Sequence, residues 1–147
     1  MNDRYIDIVK AVTDFYPDYW EKIVVTYDAA EDYGHLGVFY KINDKYESIF
    51  QVGRERLNYK LFQTSRQNAM IMSVVNQIRK ESLENGNEWY HFVLIIKADG
   101  KYEPNFSTEK HFENLDEYIA IWRYKYLGLL ERNEYESSCN DVEQAII

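Results

Sequence analysis

Apolar positions in this chain change their spacing several times, and each change marks a predicted element. Over residues 3–16, Tyr5, Val9, Val12 and Tyr16 form one helical stripe, widened by Ile8 and Phe15. Pro17 disfavours helical geometry at Tyr16 and closes that helix. Trp20 follows, then Ile23, Val24, Val25, Thr26 and Tyr27, a β-branched and aromatic run that reads as a strand. Residues 28–34 predict a loop with Asp28, Glu31, Asp32 and Tyr33 at its tip. Leu36, Val38, Tyr40 and Ile42 then alternate as a second strand, and Asn43-Asp44 is a two-residue turn. Tyr46, Ser48, Phe50 and Val52 continue the alternation as a third strand, so the three form an antiparallel meander. Gly53-Arg54-Glu55-Arg56 interrupts the pattern and opens an irregular connection to Phe62.

The longest helix is expected next. Thr64 and Gln67 have capping-box spacing, and Ile71, Val74, Val75 and Ile78 give the stripe, with Met70 and Met72 beside it. Asn85-Gly86 supplies the stop. Residues 89–96 are the most apolar run. Tyr90, Phe92, Leu94 and Ile96 alternate with Trp89, His91, Val93 and Ile95, as in a central strand covered on one side and partly shielded on the other. Asp99-Gly100 is the strongest hairpin signal, and Pro104 puts the following strand, with Tyr102 and Phe106, at an edge. In residues 115–126, Leu115, Ile119, Trp122 and Tyr126 share a helical face. Gly128 suits the left-handed stop, with Arg123 and Lys125 near the negative end of the helix dipole. Residues 141–147 predict a short terminal helix. The order α-β-β-β-α-β-β-α, with a last α, describes an α+β fold. It has a mainly antiparallel sheet of about five strands and helices packed on one face.

With 147 residues and no linker or repeat, residues 1–147 are read as one domain. A single cysteine, Cys139, excludes an internal disulfide and suits a reducing compartment. No basic start leads into a long apolar run, so a cytoplasmic location is expected. A net charge of −8 argues against nucleic acid or an anionic membrane as partner and permits a basic protein.

Chemistry is harder to find. There is no Gly-rich phosphate loop, no His-x-x-x-His or Cys-x-x-Cys pair and no nucleophile elbow, so neither a cofactor nor a metal is expected. Of His35, His91 and His111, only His91 lies in an apolar run, and it reads as a structural histidine more readily than as a catalytic base. Carboxylates cluster at Glu31/Asp32, at Glu113/Asp116/Glu117 and at Glu131/Glu134/Glu136. The clusters read either as solvated faces or as a surface that pairs with Lys and Arg of a partner. Fourteen tyrosines divide in the same way, between core stripes (Tyr5, Tyr16, Tyr90, Tyr118, Tyr126) and positions outside them (Tyr33, Tyr59, Tyr124, Tyr135).

Three stretches carry a resemblance. Pro17-Asp18-Tyr19-Trp20-Glu21-Lys22-Ile23 resembles the helix-to-strand junction of the YezG/EsaG-type family of immunity proteins. Trp89 stands where that family has a tryptophan at strand entry. Trp122-Arg123-Tyr124-Lys125-Tyr126-Leu127-Gly128-Leu129-Leu130 is similar to its closing motif. Glu131 and Glu88 depart from it, standing where many members have proline, and the long helix is less acidic than usual. The resemblance implies a cytoplasmic, non-catalytic antitoxin that binds a bacterial nuclease toxin whose surface is basic. The matched residues read as structural, and the candidate toxin contacts come instead from the acidic, tyrosine-bearing surface: Asp28, Glu31, Asp32 and Tyr33, then Glu113, Asp116 and Glu117, then Glu131, Glu134, Tyr135 and Glu136. The alternatives are a generic acidic protein-binding adaptor and a small enzyme using His91 and nearby carboxylates.

Overall fold

The computed structural model describes residues 4–128. Helix α1 (Arg4–Phe15) leads into strands β1 (Lys22–Ala29), β2 (Gly34–Ile42) and β3 (Lys45–Ser48). Helices α2 (Ile49–Glu55) and α3 (Leu61–Glu84) follow, then β4 (His91–Lys97), β5 (Tyr102–Ser107), a 3-10 turn (Phe112–Asn114) and α4 (Leu115–Leu127). The five strands form one antiparallel sheet in the order β3-β2-β1-β4-β5. The α+β class, the meander and the element order are as the sequence predicts, with α2 added.

Local chemistry explains the turns. Asn43 and Asp44 have φ of 52° and 67°, the paired positive values of a type I′ hairpin, which asparagine and aspartate tolerate better than most residues. Gly100, at φ 88°, closes the β4–β5 hairpin, where Lys101 N–H donates to Asp99 Oδ1 at 2.9 Å. Pro104 lies in β5, an edge strand, where a missing N–H can face outward. Gly128 ends α4 in the left-handed region at φ 67°.

Strand alternation sorts the core. Ile23, Val25 and Tyr27 of β1, Val38, Tyr40 and Ile42 of β2, and Phe92, Leu94 and Ile96 of β4 share the main core with α1, α2 and α3. Tyr40 is buried there and donates its hydroxyl to the Val12 carbonyl at 2.6 Å, fixing α1 to the sheet. Burial holds its phenol protonated well above the ordinary tyrosine range. Arg4 Nη2 and Glu81 Oε1, 2.6 Å apart, join α1 to the far end of α3.

Several expectations need correction. The third strand stops at Ser48, and residues 49–55 are helical. Ser48 Oγ accepts from Gln51 N–H at 3.2 Å as a helix cap, and Ile49 and Val52, one turn apart, are both buried. Gly53 therefore breaks nothing. It lies inside α2, where an added Cβ would stand 2.3 Å from Thr64 Oγ1, so its bare backbone admits α3. Helix α3 starts a turn before Thr64: Lys60 N–H donates to Gln63 Oε1 at 2.8 Å, and Thr64 is buried against α2. Strand β1 runs through Asp28 to Ala29, so the reversal is only residues 30–33, closed by Ala30 N–H donating to the Tyr33 carbonyl.

The helices do not all lie on one face. Val24, Phe39 and Val93 form a second cluster with Leu127 and the half-buried Trp122, so α4 covers the opposite side of the sheet. A two-residue period reports that both faces of β4 are apolar, but it carries no information on which helix covers which face. Tyr126, expected on the buried stripe, is 59% exposed, and Leu127 takes the buried position. Trp89 and Tyr90 both join the main core because β4 begins only at His91. The short helix expected at residues 141–147 lies outside the described residues.

Candidate functional site

Strand parity builds the site. Asp28 follows Val24 and Thr26 on the α4 side of β1, and its cross-strand neighbours are His35 of β2 and His91 of β4. A His35–Asp28–His91 row therefore crosses the sheet beneath α4. Asp28 and His91 are 5% and 8% exposed, and His91 Nδ1–H donates to Asp28 Oδ1 at 2.5 Å. The His91 ring lies edge-on to Tyr118 and close to Trp122, at 5.7 and 5.8 Å between centroids. His111 stacks on Tyr118 at 3.7 Å. Asp28, a candidate contact by sequence, is thus a buried partner of His91. The pairing joins residues 63 positions apart, and alternation from Val24 is the only sequence signal that reaches Asp28.

The remaining candidates divide cleanly. Glu31, Asp32 and Tyr33 are exposed on the β1–β2 turn, while Glu113, Asp116 and Glu117 are exposed at the start of α4. Ala30 of the turn packs with Leu115, Ile119 and Tyr118 of α4, bringing the two groups to one end of the molecule. Their contact runs through His35, whose ring meets Tyr33 at 5.2 Å and whose Nε2 approaches Asp116 Oδ1 at 4.0 Å. His35 was not a candidate by sequence, and nothing local marks it. Asp116 and Glu117 also occupy the first turn of α4, where the positive end of the helix dipole favours carboxylates. The fold can therefore hold this charge at low cost. Glu131, Glu134, Tyr135 and Glu136 lie outside the described residues.

Among the described residues, no group of three or more His, Cys, Asp and Glu side chains is placed to hold a metal ion. No described helix is long and apolar enough to cross a membrane. What the face offers is a set of carboxylates beside one exposed tyrosine. That chemistry suits the lysines and arginines of a protein surface.

Tyr118 gives this region a measurable property. Burial first, then the nearby charges of Asp28 and Glu109, push its phenol up to about 12. A folded-state value above the ordinary 10 means that the folded protein holds this proton more tightly than the unfolded chain. Its contribution is complete below pH 10 and lost as pH rises from 10 to about 12. Alkaline unfolding should therefore be less steep over that window in Tyr118→Phe than in the parent. Denaturant midpoints taken at intervals across it measure the difference; identical slopes would contradict the assignment.

Comparison with known proteins places the chain in a family. Residues 1–140 match the family described as "Immunity protein YezG-like". The chain is also similar to Immunity protein YezG of Bacillus subtilis (strain 168), with 23% identity over 141 residues that cover 91% of this chain and 92% of the relative. The family match takes in all the described strands and helices, and with them both halves of the acidic end. This chain belongs to the YezG-like immunity protein family.

Proposed function

We propose that this protein is a non-catalytic, cytoplasmic antitoxin that neutralises a nuclease toxin by binding it through the acidic end. The observation that carries the reading is the meeting of the β1–β2 turn with the start of α4, which gathers five exposed carboxylates and Tyr33. Nucleases bind polyanions, so their working surfaces are basic and an acidic face complements them. Family membership supports a protein toxin as the partner. Catalysis through His91 has less support: its ring is buried under α4, against Tyr118 and Trp122.

Co-expression with the toxin encoded in the neighbouring gene tests the proposal. Survival of the cells and co-purification of the two proteins support it; persistent toxicity without association overturns it. Charge reversal at Glu113, Asp116 and Glu117 to lysine should slow association by roughly tenfold or more at low salt, with a smaller effect on dissociation. Stopped-flow mixing at two ionic strengths measures this. Association rates equal to the parent's would place the toxin on another face.

A further inference from the structure

The outer edge of β2 is only half covered. β2 spans Gly34–Ile42, but β3 pairs with it only from Phe39 to Ile42, because Ser48 caps α2 and turns the chain away. Residues 34–38 thus have no strand on their outer side among the described residues. The orientation of their backbone groups follows from one bond. Glu21 N–H donates to the Lys41 carbonyl, so odd-numbered residues of β2 turn toward β1 and even-numbered ones turn outward. Gly34 and Leu36 therefore present N–H and C=O groups to open space, with Val38 at the join to α2.

A groove of about 410 Å³ runs along this edge, lined by Leu36, Gly37, Val38, Phe50, Asn68 and Arg123. Asn68 Oδ1 is buried in the groove wall and has no hydrogen-bond partner among the described residues. A row of outward backbone groups beside an unmet acceptor is what an extended chain satisfies when it adds to a sheet. The edge also starts at the acidic turn, since Gly34 directly follows Glu31, Asp32 and Tyr33.

We propose that the toxin inserts an extended segment into this groove as an added strand beside residues 34–38, with a basic side chain at the end that meets Glu31 and Asp32. This rests on the antitoxin reading above and adds the mode of binding to it. Two other occupants fit less well. The chain's own residues 131–143 carry Glu131, Glu134, Glu136, Asp141 and Glu143 against a single arginine, and would meet the acidic turn with like charge. A second copy has its own residues 34–38 to offer, a stretch of ~16 Å that ends against α2, or β5, where Pro104 lacks an N–H.

The test is amide exchange at Leu36, followed by NMR in the intact chain alone and with an inactivated form of the toxin domain encoded beside it. The Leu36 amide is expected to exchange readily in the free protein and to slow by roughly a hundredfold or more in the complex, as a strand hydrogen bond requires. Leu36→Pro, which removes the outward N–H, should weaken binding roughly tenfold more than Leu36→Ala, which keeps it. A complex that forms while Leu36 still exchanges as in the free protein overturns the added strand and leaves the antitoxin reading standing. If no complex forms, both fail. Protection already present in the free protein overturns the proposal as well: when independent of concentration it assigns the groove to the chain's own tail, and when it grows with concentration, to a second copy.

Discussion

Phe92→Ala is expected to lower the stability of this protein by about 3–5 kcal/mol. Phe92 is fully buried at the centre of β4 and lies among Tyr5, Trp89 and Phe106, with ring centroids at 6.3, 5.7 and 5.3 Å. Those neighbours come from α1, from the approach to β4 and from β5. A cavity there would remove the ring that all three of these neighbours pack against. A small domain has about 5–15 kcal/mol in all, so the variant would be partly unfolded at moderate temperature. Urea denaturation measures the difference, with the slope of the transition unchanged. A loss below about 1.5 kcal/mol would mean that the aromatic cluster closes over the gap.

The second large effect concerns the buried pair. His91→Ala is expected to cost about 3–5 kcal/mol, because it leaves the Asp28 carboxylate under α4 without its donor. Replacing both groups tells more. The double variant His91→Leu/Asp28→Val removes the stranded charge together with its partner and should recover most of the loss, since apolar replacement of a buried pair is often neutral. Thermal denaturation of the single and double variants decides it. A double variant as unstable as His91→Ala would show that packing, rather than the unpaired carboxylate, sets the cost. The comparison also bears on the toxin face. Asp28 lies beneath α4, so its contribution is to hold the sheet and helix that carry Glu31, Asp32, Asp116 and Glu117.

What could be read from the sequence follows from the range of each signal. Phe92, Leu94 and Ile96 alternate within one strand, so their shared face was visible from spacing alone. The ends of α2 and α3 were not. Ser48, Ile49 and Val52 satisfy both a two-residue period and one helical turn, and the cap at Ser48 decides between them. Thr64 has the side chain of a capping residue, yet its place against Gly53 in the preceding helix draws it into the core. Tyr126 fits the stripe of α4 on a helical wheel, but Leu127 takes the last buried place, against Val24, Phe39 and Val93.

The same division runs through the site. Each acidic cluster was legible where it stands in the chain. That the β1–β2 turn rests on the start of α4, that Asp28 turns inward to His91, and that β3 ends before it has covered β2 were not legible. By itself the sequence determined the element types apart from α2, the hairpin turns, the edge position of β5, the glycine that ends α4 and the acidic balance, because each depends on residues within a few positions of one another. Only the tertiary structure decided which helix covers which face and which carboxylates reach solvent. Those outcomes depend on cross-strand register and on contacts between residues as far apart as Asp28 and His91, where alternation fixes a face but leaves its neighbour open.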